Sequence, residues 1–256
     1  MDNFEKQKTL ATSGIDFSRK GSIDSKILDL SIFINNQNDF FTTSSCSGRI
    51  ILFDDKTDGS EKVSNKQGCQ WLFTSHDMVD TKQVIPVLTN ITGDCVFKFE
   101  PFVLHVQCRT TEHAQLLLQC AVQSGFRNSG ISLGKKGKII VGVRSTHSME
   151  VPLSHSGHLL VSTEYVEFLI KLANKKMEEN FRRIDRFFES IKTAILQQME
   201  EQLLSMESKE KKKNKHKLQE KVPSPDSVQS SDQSTQSCDL LDKDVLEFSL
   251  FDYDIT

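Results

Sequence analysis

The sequence predicts an α+β fold: one domain with a mixed, curved sheet covered by helices, a long C-terminal helix, and then a disordered tail. Three observations point there. β-branched and aromatic runs recur between residues 40 and 153, amphipathic helical patterns interrupt them irregularly, and from residue 163 apolar residues keep three-four spacing for many turns before the composition turns to Lys, Ser and Gln.

The first helix is expected to begin at Ser22, a capping residue, with Asp24 favouring the positive helix end and Ile23, Ile27, Leu30 and Ile34 sharing one face. It ends near 35–38. Residues 40–45 and 49–54 read as two strands around a Ser47-Gly48 turn, with 70–75 as a neighbour. A short helix over 81–90 tolerates Pro86 near its first turn.

Residues 95–100 and 102–109 then read as strands meeting at Glu100-Pro101. In the second, alternation puts Leu104, Val106 and Cys108 on one face and His105, Gln107 and Arg109 on the other. One face is core and the other a polar working surface. Residues 112–124 form a helix on Ala114, Leu117, Leu118, Ala121 and Val122, stopped by Gly125, and strands follow at 130–133, 138–144 and 149–153. The long helix, 163–203, carries Met177, Phe181, Ile184, Phe188, Ile191, Ile195 and Met199, and covers and overhangs the sheet.

The domain is accordingly 1–204. Residues 205–256 are lysine-rich, then Ser/Gln/Pro-rich, then acidic and apolar by turns, a composition that cannot bury enough surface to offset its ordering entropy. That tail holds 8 Lys/Arg and 11 Asp/Glu, so the formal charge of −3 hides a neutral body with 24 of each. Within the body, residues 126–147 carry Arg127, Lys135, Lys136, Lys138 and Arg144 and no acid, which marks a phosphate-binding surface.

No apolar run approaches the length of a membrane span, and the first residues lack a secretory pattern, so a cytoplasmic location, or a nuclear one, is expected. Cys46, Cys69, Cys95, Cys108, Cys120 and Cys238 are scattered and read as reduced thiols. There is no Cys-x-x-Cys, and His155 and His158 have no cysteine or carboxylate near them in sequence, so no metal is expected.

No Gly-x-Gly-x-x-Gly turn supports a dinucleotide-type cofactor site. Residues 42–49 form instead a dense hydroxyl cluster. Ser44, Ser45, Cys46, Gly48 and Arg49 can hold a carboxylate or phosphate, or the same hydroxyls can simply satisfy a hairpin turn. Nothing in the sequence activates Cys46 as a nucleophile. Gly125-Phe126-Arg127-Asn128-Ser129-Gly130 reads either as a loop that stacks on a base and pairs a phosphate, or as a helix cap with a buried Phe. His105 is the candidate proton acceptor, with the alternative of a structurally satisfied histidine, and Ser45 is the second catalytic candidate. Arg19 and Lys20, just before the first helix, are candidates for an anion clamp or a solvated loop.

Five stretches in order, Ser18-Arg19-Lys20-Gly21-Ser22, Thr43-Ser44-Ser45-Cys46-Ser47-Gly48-Arg49, Lys98-Phe99-Glu100-Pro101-Phe102-Val103-Leu104-His105-Val106, Ser124-Gly125-Phe126-Arg127-Asn128-Ser129-Gly130-Ile131 and Glu150-Val151-Pro152-Leu153, resemble the signature of the tRNA wybutosine-synthesising protein 3 family. The resemblance implies methyl transfer from S-adenosyl-L-methionine to N4 of a tricyclic wyosine-type base beside the anticodon of phenylalanine tRNA. It also implies work alongside other enzymes of that pathway, with no membrane or DNA partner. On this reading Ser44, Ser45, Cys46, Gly48 and Arg49 hold the cofactor. Arg19, Lys20, Phe126, Arg127, Asn128, Lys135, Lys136 and Arg144 hold RNA, and His105 takes the proton. The competing class is a non-catalytic module that presents tRNA to another enzyme.

Overall fold

The computed structural model describes residues 2–13, 22–55 and 69–219, and the side chains of residues 69, 136, 202 and 205–219 are outside that description. Arg19 and Lys20 lie outside the described residues, as does the tail from 220 onward.

A helix α1 (Asn3–Ser13), which the sequence reading missed, opens the chain. A short 3-10 turn leads into α2 (Leu28–Asn36). Ser22 does not cap it. Asp24 holds the capping position of that turn, but its carboxylate accepts instead from the backbone of Ser47.

The sheet consists of β1 (Phe40–Asp55), β2 (Cys69–Ser75), β3 (Asp94–Cys108), β4 (Gly130–Leu133), β5 (Ile139–Val143) and β6 (Met149–Pro152). Its order is β2-β1-β3-β5-β4, with β6 on the first half of β3 and β5 on the second. The expected mixed sheet is antiparallel at every described pairing. The α+β class stands.

Two expected strand ends are also not ends. β1 and β3 run unbroken through Ser47-Gly48 and Glu100-Pro101, which lie opposite each other. Gly48 has φ +106°, and Pro101 has no N–H to give, so the ladder opens there. Asn180, fully buried on α5 (Thr163–Gln219), closes the gap. Its amide donates to Ser47 O at 2.7 Å and accepts from Phe102 N at 2.8 Å.

The break also shifts the side-chain alternation, so that Cys95, Phe97 and Phe99 share a face with Phe102, Leu104 and Val106. That face carries two apolar clusters, and α5 seals both. Val166, Leu169, Ile170, Ala173 and Met177 cover one cluster, and Ile184, Phe187, Ile191 and Ile195 the other. A helix whose apolar residues recur every three or four positions presents such a stripe for its whole length.

The short helix α3 (Thr81–Val84) starts on an Asp80–Gln83 capping box and gives way to a 3-10 turn at Pro86. Helix α4 (Thr111–Gln123) starts on the Thr110 side chain. At its end Gly125 takes φ +101°, with Phe126 N bonded to Ala121 O and Gly125 N to Val122 O, the paired bonds of a glycine-capped terminus. A two-residue hairpin, β7 (Ser154–His155) with β8 (His158–Leu159), precedes α5. The helical backbone of α5 continues past Leu204, the expected domain limit, to Gln219. No described helix is long and apolar enough to cross a membrane.

Candidate active site

The face of the sheet opposite α5 is where the polar side chains gather. α1 covers one end of it: Phe4 meets Phe41 edge to face, Gln107 bonds Gln7, and Arg109 pairs with Asp2 and with Asp39 at 2.8 Å. Gln107 and Arg109 are thereby committed to holding α1. His105 is not.

Ser44 reaches His105 because β1 carries one extra residue. Thr42 pairs with Val106 and Ser44 with His105, so Thr43 bulges, and the alternation shifts by one. Without the bulge Ser44 would follow Phe40 and Thr42 onto the helix side. With it, Ser44 Oγ lies 2.9 Å from His105 Nδ1, and Thr43 Oγ1 donates to the His105 carbonyl at 3.2 Å.

The other ring nitrogen, Nε2, lies 2.7 Å from the Arg144 guanidinium. Gly142 faces His105 across β5, and a Cβ there would stand 3.2 Å from Arg144 Nε and 3.3 Å from the imidazole ring. Glycine therefore leaves the room that Arg144 uses. Since a guanidinium can only donate, Nε2 must be the accepting nitrogen, and the proton sits on Nδ1, directed at Ser44. Burial, helped by the Arg144 charge, holds the His105 pKa below the ordinary imidazole value. The ring is kept neutral.

Arg144 is anchored from behind. Its backbone N–H donates to Ser129 Oγ at 3.1 Å, and Ser129 donates to Phe126 O at 2.6 Å. Phe126 is fully buried between Phe102 and Phe187. This corrects the reading of Phe126 as an RNA platform: it is the anchor of the loop. Arg127 and Asn128 are exposed at the tip beside it, as is Lys135 on the turn between β4 and β5, and the Lys136 side chain is outside the description. Arg183 of α5, which the sequence reading did not single out, donates to Gly125 O and to Ser145 Oγ.

Residues 44–49 lie within a strand and not in the expected turn. Alternation sends Ser45 to the helix side opposite Leu104, away from His105, and leaves Ser44 beside the imidazole. Gly48 is buried against Asn180. Cys46 and Arg49 share the open face with Ser44. Arg49 Nε bonds Glu100 at 2.6 Å, and its guanidinium lies over the Trp71 ring at 4.8 Å. Burial pushes the Cys46 thiol up, which makes it a poor nucleophile. Cys95 and Cys108 are pushed up to about 12 by burial as well.

An open groove between α4 and α5, lined by Glu112, Gln119, Glu189 and Gln197 among others, belongs to the helices and includes none of these residues. The chemistry converges instead on Ser44, His105 and Arg144: a neutral imidazole held between a hydroxyl and an exposed guanidinium, beside an acid-free basic stretch. Such a group can accept a proton once the cation on Nε2 turns to an anionic substrate.

Residues 5–193 match the family described as Methyltransferase TYW3. The tRNA wybutosine-synthesizing protein 3 homolog of Danio rerio is 48% identical, over 94% of this chain and 98% of its own. The homolog of the same name from Xenopus laevis is 53% identical over 75% of this chain and 76% of its own. The solved structure of the PH1069 protein from Pyrococcus horikoshii is similar with a TM-score of 0.66 and 32% identity, covering 74% of this chain and 96% of that one. With three quarters of its length matched and relatives near half identity, the chain belongs to the methyltransferase TYW3 family.

Proposed function

We propose that this methyltransferase acts in wybutosine synthesis by transferring a methyl group from S-adenosylmethionine to N4 of a wyosine-type precursor base, beside the anticodon of phenylalanine tRNA in the cytoplasm. Membership of a methyltransferase family decides against the non-catalytic tRNA-presenting module. The observation that carries the site assignment is the Ser44–His105–Arg144 chain on the open face.

Methyl transfer to a ring nitrogen is an in-line displacement, so holding the base contributes more than acid-base chemistry, yet the N–H proton must still leave. S-adenosylmethionine supplies an electrophilic methyl group on a sulfonium. Ser44 holds His105 with its lone pair on Nε2. Arg144 occupies that lone pair until a carboxylate or phosphate draws the guanidinium away, after which Nε2 takes the N4 proton. The donors fit such an anion: the exposed Arg144 guanidinium and the Ser44 hydroxyl flank the imidazole, one at each ring nitrogen. The aminocarboxypropyl side chain of the base and the amino-acid end of S-adenosylmethionine both offer the carboxylate. Arg127, Asn128 and Lys135 meet the RNA backbone. Other wybutosine-pathway enzymes supply the precursor.

The test is single-turnover transfer of labelled methyl groups to precursor tRNA, paired with thermal melts. His105→Gln should slow transfer by at least about a hundredfold with little change in melting temperature. Ser44→Ala should lose a smaller factor and Ser45→Ala almost none. Full activity in His105→Gln sinks the assignment.

A further inference from the structure

Arg144 can release His105 and return to it only if its own backbone keeps its place, since a misplacement of about 1 Å can cost on the order of a hundredfold in rate. Two loops set that place. One is 124–129, between α4 and β4, and the other is 144–148, between β5 and β6. They are tied once by the Arg144 N–H, which donates to Ser129 Oγ, and a second time by Arg183 of α5. We propose that Arg183 is a positioning residue for methyl transfer: it fixes both loops and so keeps the Arg144 guanidinium on His105 Nε2. This rests on the roles proposed above for His105 and Arg144.

A single nitrogen makes the bridge. Nη1 of Arg183 has two N–H groups, and it lies 3.3 Å from Gly125 O and 3.2 Å from Ser145 Oγ, one acceptor on each loop. Nε donates to Glu179 Oε1 at 3.0 Å, one turn back on α5, which orients the guanidinium plane. Glu179 accepts from Arg186 as well, at 3.1 Å, and the hydrogen bonds from Arg183 and Arg186 hold its carboxyl below the ordinary carboxylate range. The aliphatic stem lies along Gly125, where a Cβ would stand 3.4 Å from Arg183 Cδ.

The contacts close a ring. From Arg183 it passes to Gly125 O and along the chain to Phe126, whose carbonyl accepts from Ser129 Oγ. Ser129 Oγ accepts the Arg144 N–H, and Ser145, the next residue, leads back to Arg183. Lys176 Nζ adds a bond to the His147 carbonyl at 3.1 Å. Lys176 ties one loop, whereas Arg183 ties both. Since Phe126 stays buried between Phe102 and Phe187, loss of Arg183 should displace the loops without unfolding them.

Such a tie also stabilises the fold, so the readout must be one that stability alone does not move. His105 provides it. Ser44 on β1, Gly142 on β5 and Arg144 just after β5 face the imidazole, and among the described residues Arg144 is the charged group that acts on it. When that guanidinium moves away, the histidine titrates at higher pH.

The test is the titration of His105 followed by NMR in the full chain with labelled histidine rings, beside single-turnover methyl transfer. Arg183→Met keeps the stem and loses the donors. It should raise the His105 midpoint toward that of Arg144→Ala and slow transfer about tenfold at saturating tRNA. In an Arg144→Ala background the same change should move the midpoint no further; a further rise would mean that the Arg183 charge acts on the ring directly, which overturns the positioning role. Arg183→Lys, whose ammonium can donate to both loops, should recover most of the shift. Arg182→Met, a neighbour paired with Glu178, should titrate as the parent does. If Arg183→Met does not fold, Ser145→Ala removes one arm of the bridge and should raise the midpoint by less. The parent's midpoint in folded Arg183→Met, or failing that in Ser145→Ala, overturns the inference, whatever the melting temperature. Full activity in His105→Gln would remove the reading on which the inference rests, whereas an unmoved midpoint with His105→Gln inactive would remove the inference alone.

Discussion

The amide nitrogen of Asn180 stands 2.9 Å from where a Cβ on Gly48 would be, so the long helix and the central strand meet with no room for a methyl group between them. Glu100 O, at 3.1 Å, closes the other side. Gly48→Ala therefore combines positive-φ strain with displacement of Asn180. It should cost at least about 2 kcal/mol. Asn180→Ala leaves Ser47 O and Phe102 N unsatisfied in the core, each worth about 1 to 3 kcal/mol. Urea unfolding of both variants measures this, and a loss under half a kcal/mol in either would contradict the bridging role.

The pH profile of transfer follows from His105. Its folded pKa lies below the ordinary 6.5, so the neutral, proton-accepting ring persists below that pH, and the rate falls only as pH drops through the depressed value. Arg144→Ala removes a neighbouring positive charge, which raises the histidine pKa and moves the acid limb to higher pH. Burial remains the larger cause, so the limb should not travel the whole way back to 6.5. A limb unmoved in Arg144→Ala, or moved to lower pH, would separate His105 from the rate.

Exposed cations facing RNA report through salt. Arg127→Glu and Arg144→Glu should each weaken tRNA binding and flatten its dependence on log salt by about one unit per lost phosphate contact. Binding measured between low and physiological salt decides. Unchanged slopes in both variants would remove this surface from RNA recognition.

Deleting residues 205–256 should leave the melting transition and methyl transfer on isolated tRNA largely intact. Both core clusters draw on α5 no further than Ile195, and the family match ends at residue 193. Circular dichroism melts and single-turnover rates check it. Unfolding or inactivity of the truncated chain would place the tail within the working domain.

What could be read in advance was whatever depends on local pattern. The apolar spacing of α4 and α5, the glycine stop at Gly125 and the polar face carrying His105 are all encoded within a few residues of where they act. Ser47-Gly48 and Glu100-Pro101 have the chemistry of turns and yet sit inside strands, because the bonds that hold them come from Asn180, 133 and 78 residues away. The one-residue bulge at Thr43 puts Ser44, and not Ser45, beside His105, and no composition reveals a bulge. Phe126 shows a true alternative settled by burial: the same loop sequence suits a base platform or a helix staple.

The outer edge of β1 shows how the chain avoids sticking to its own copies. Among the described residues, β2 pairs with β1 only from Ile50 onward, and no strand flanks the first half of β1 on that side. There Asn35 accepts the Thr42 N–H and Asp24 accepts that of Ser47, each at 2.8 Å, which denies an incoming strand the donors it would seek. Resistance to edge pairing therefore draws on two polar side chains, one of which, Asp24, is itself buried. At the concentrations reached in a refolding mixture, a chain lacking both is expected to be more prone to edge-to-edge growth into aggregates.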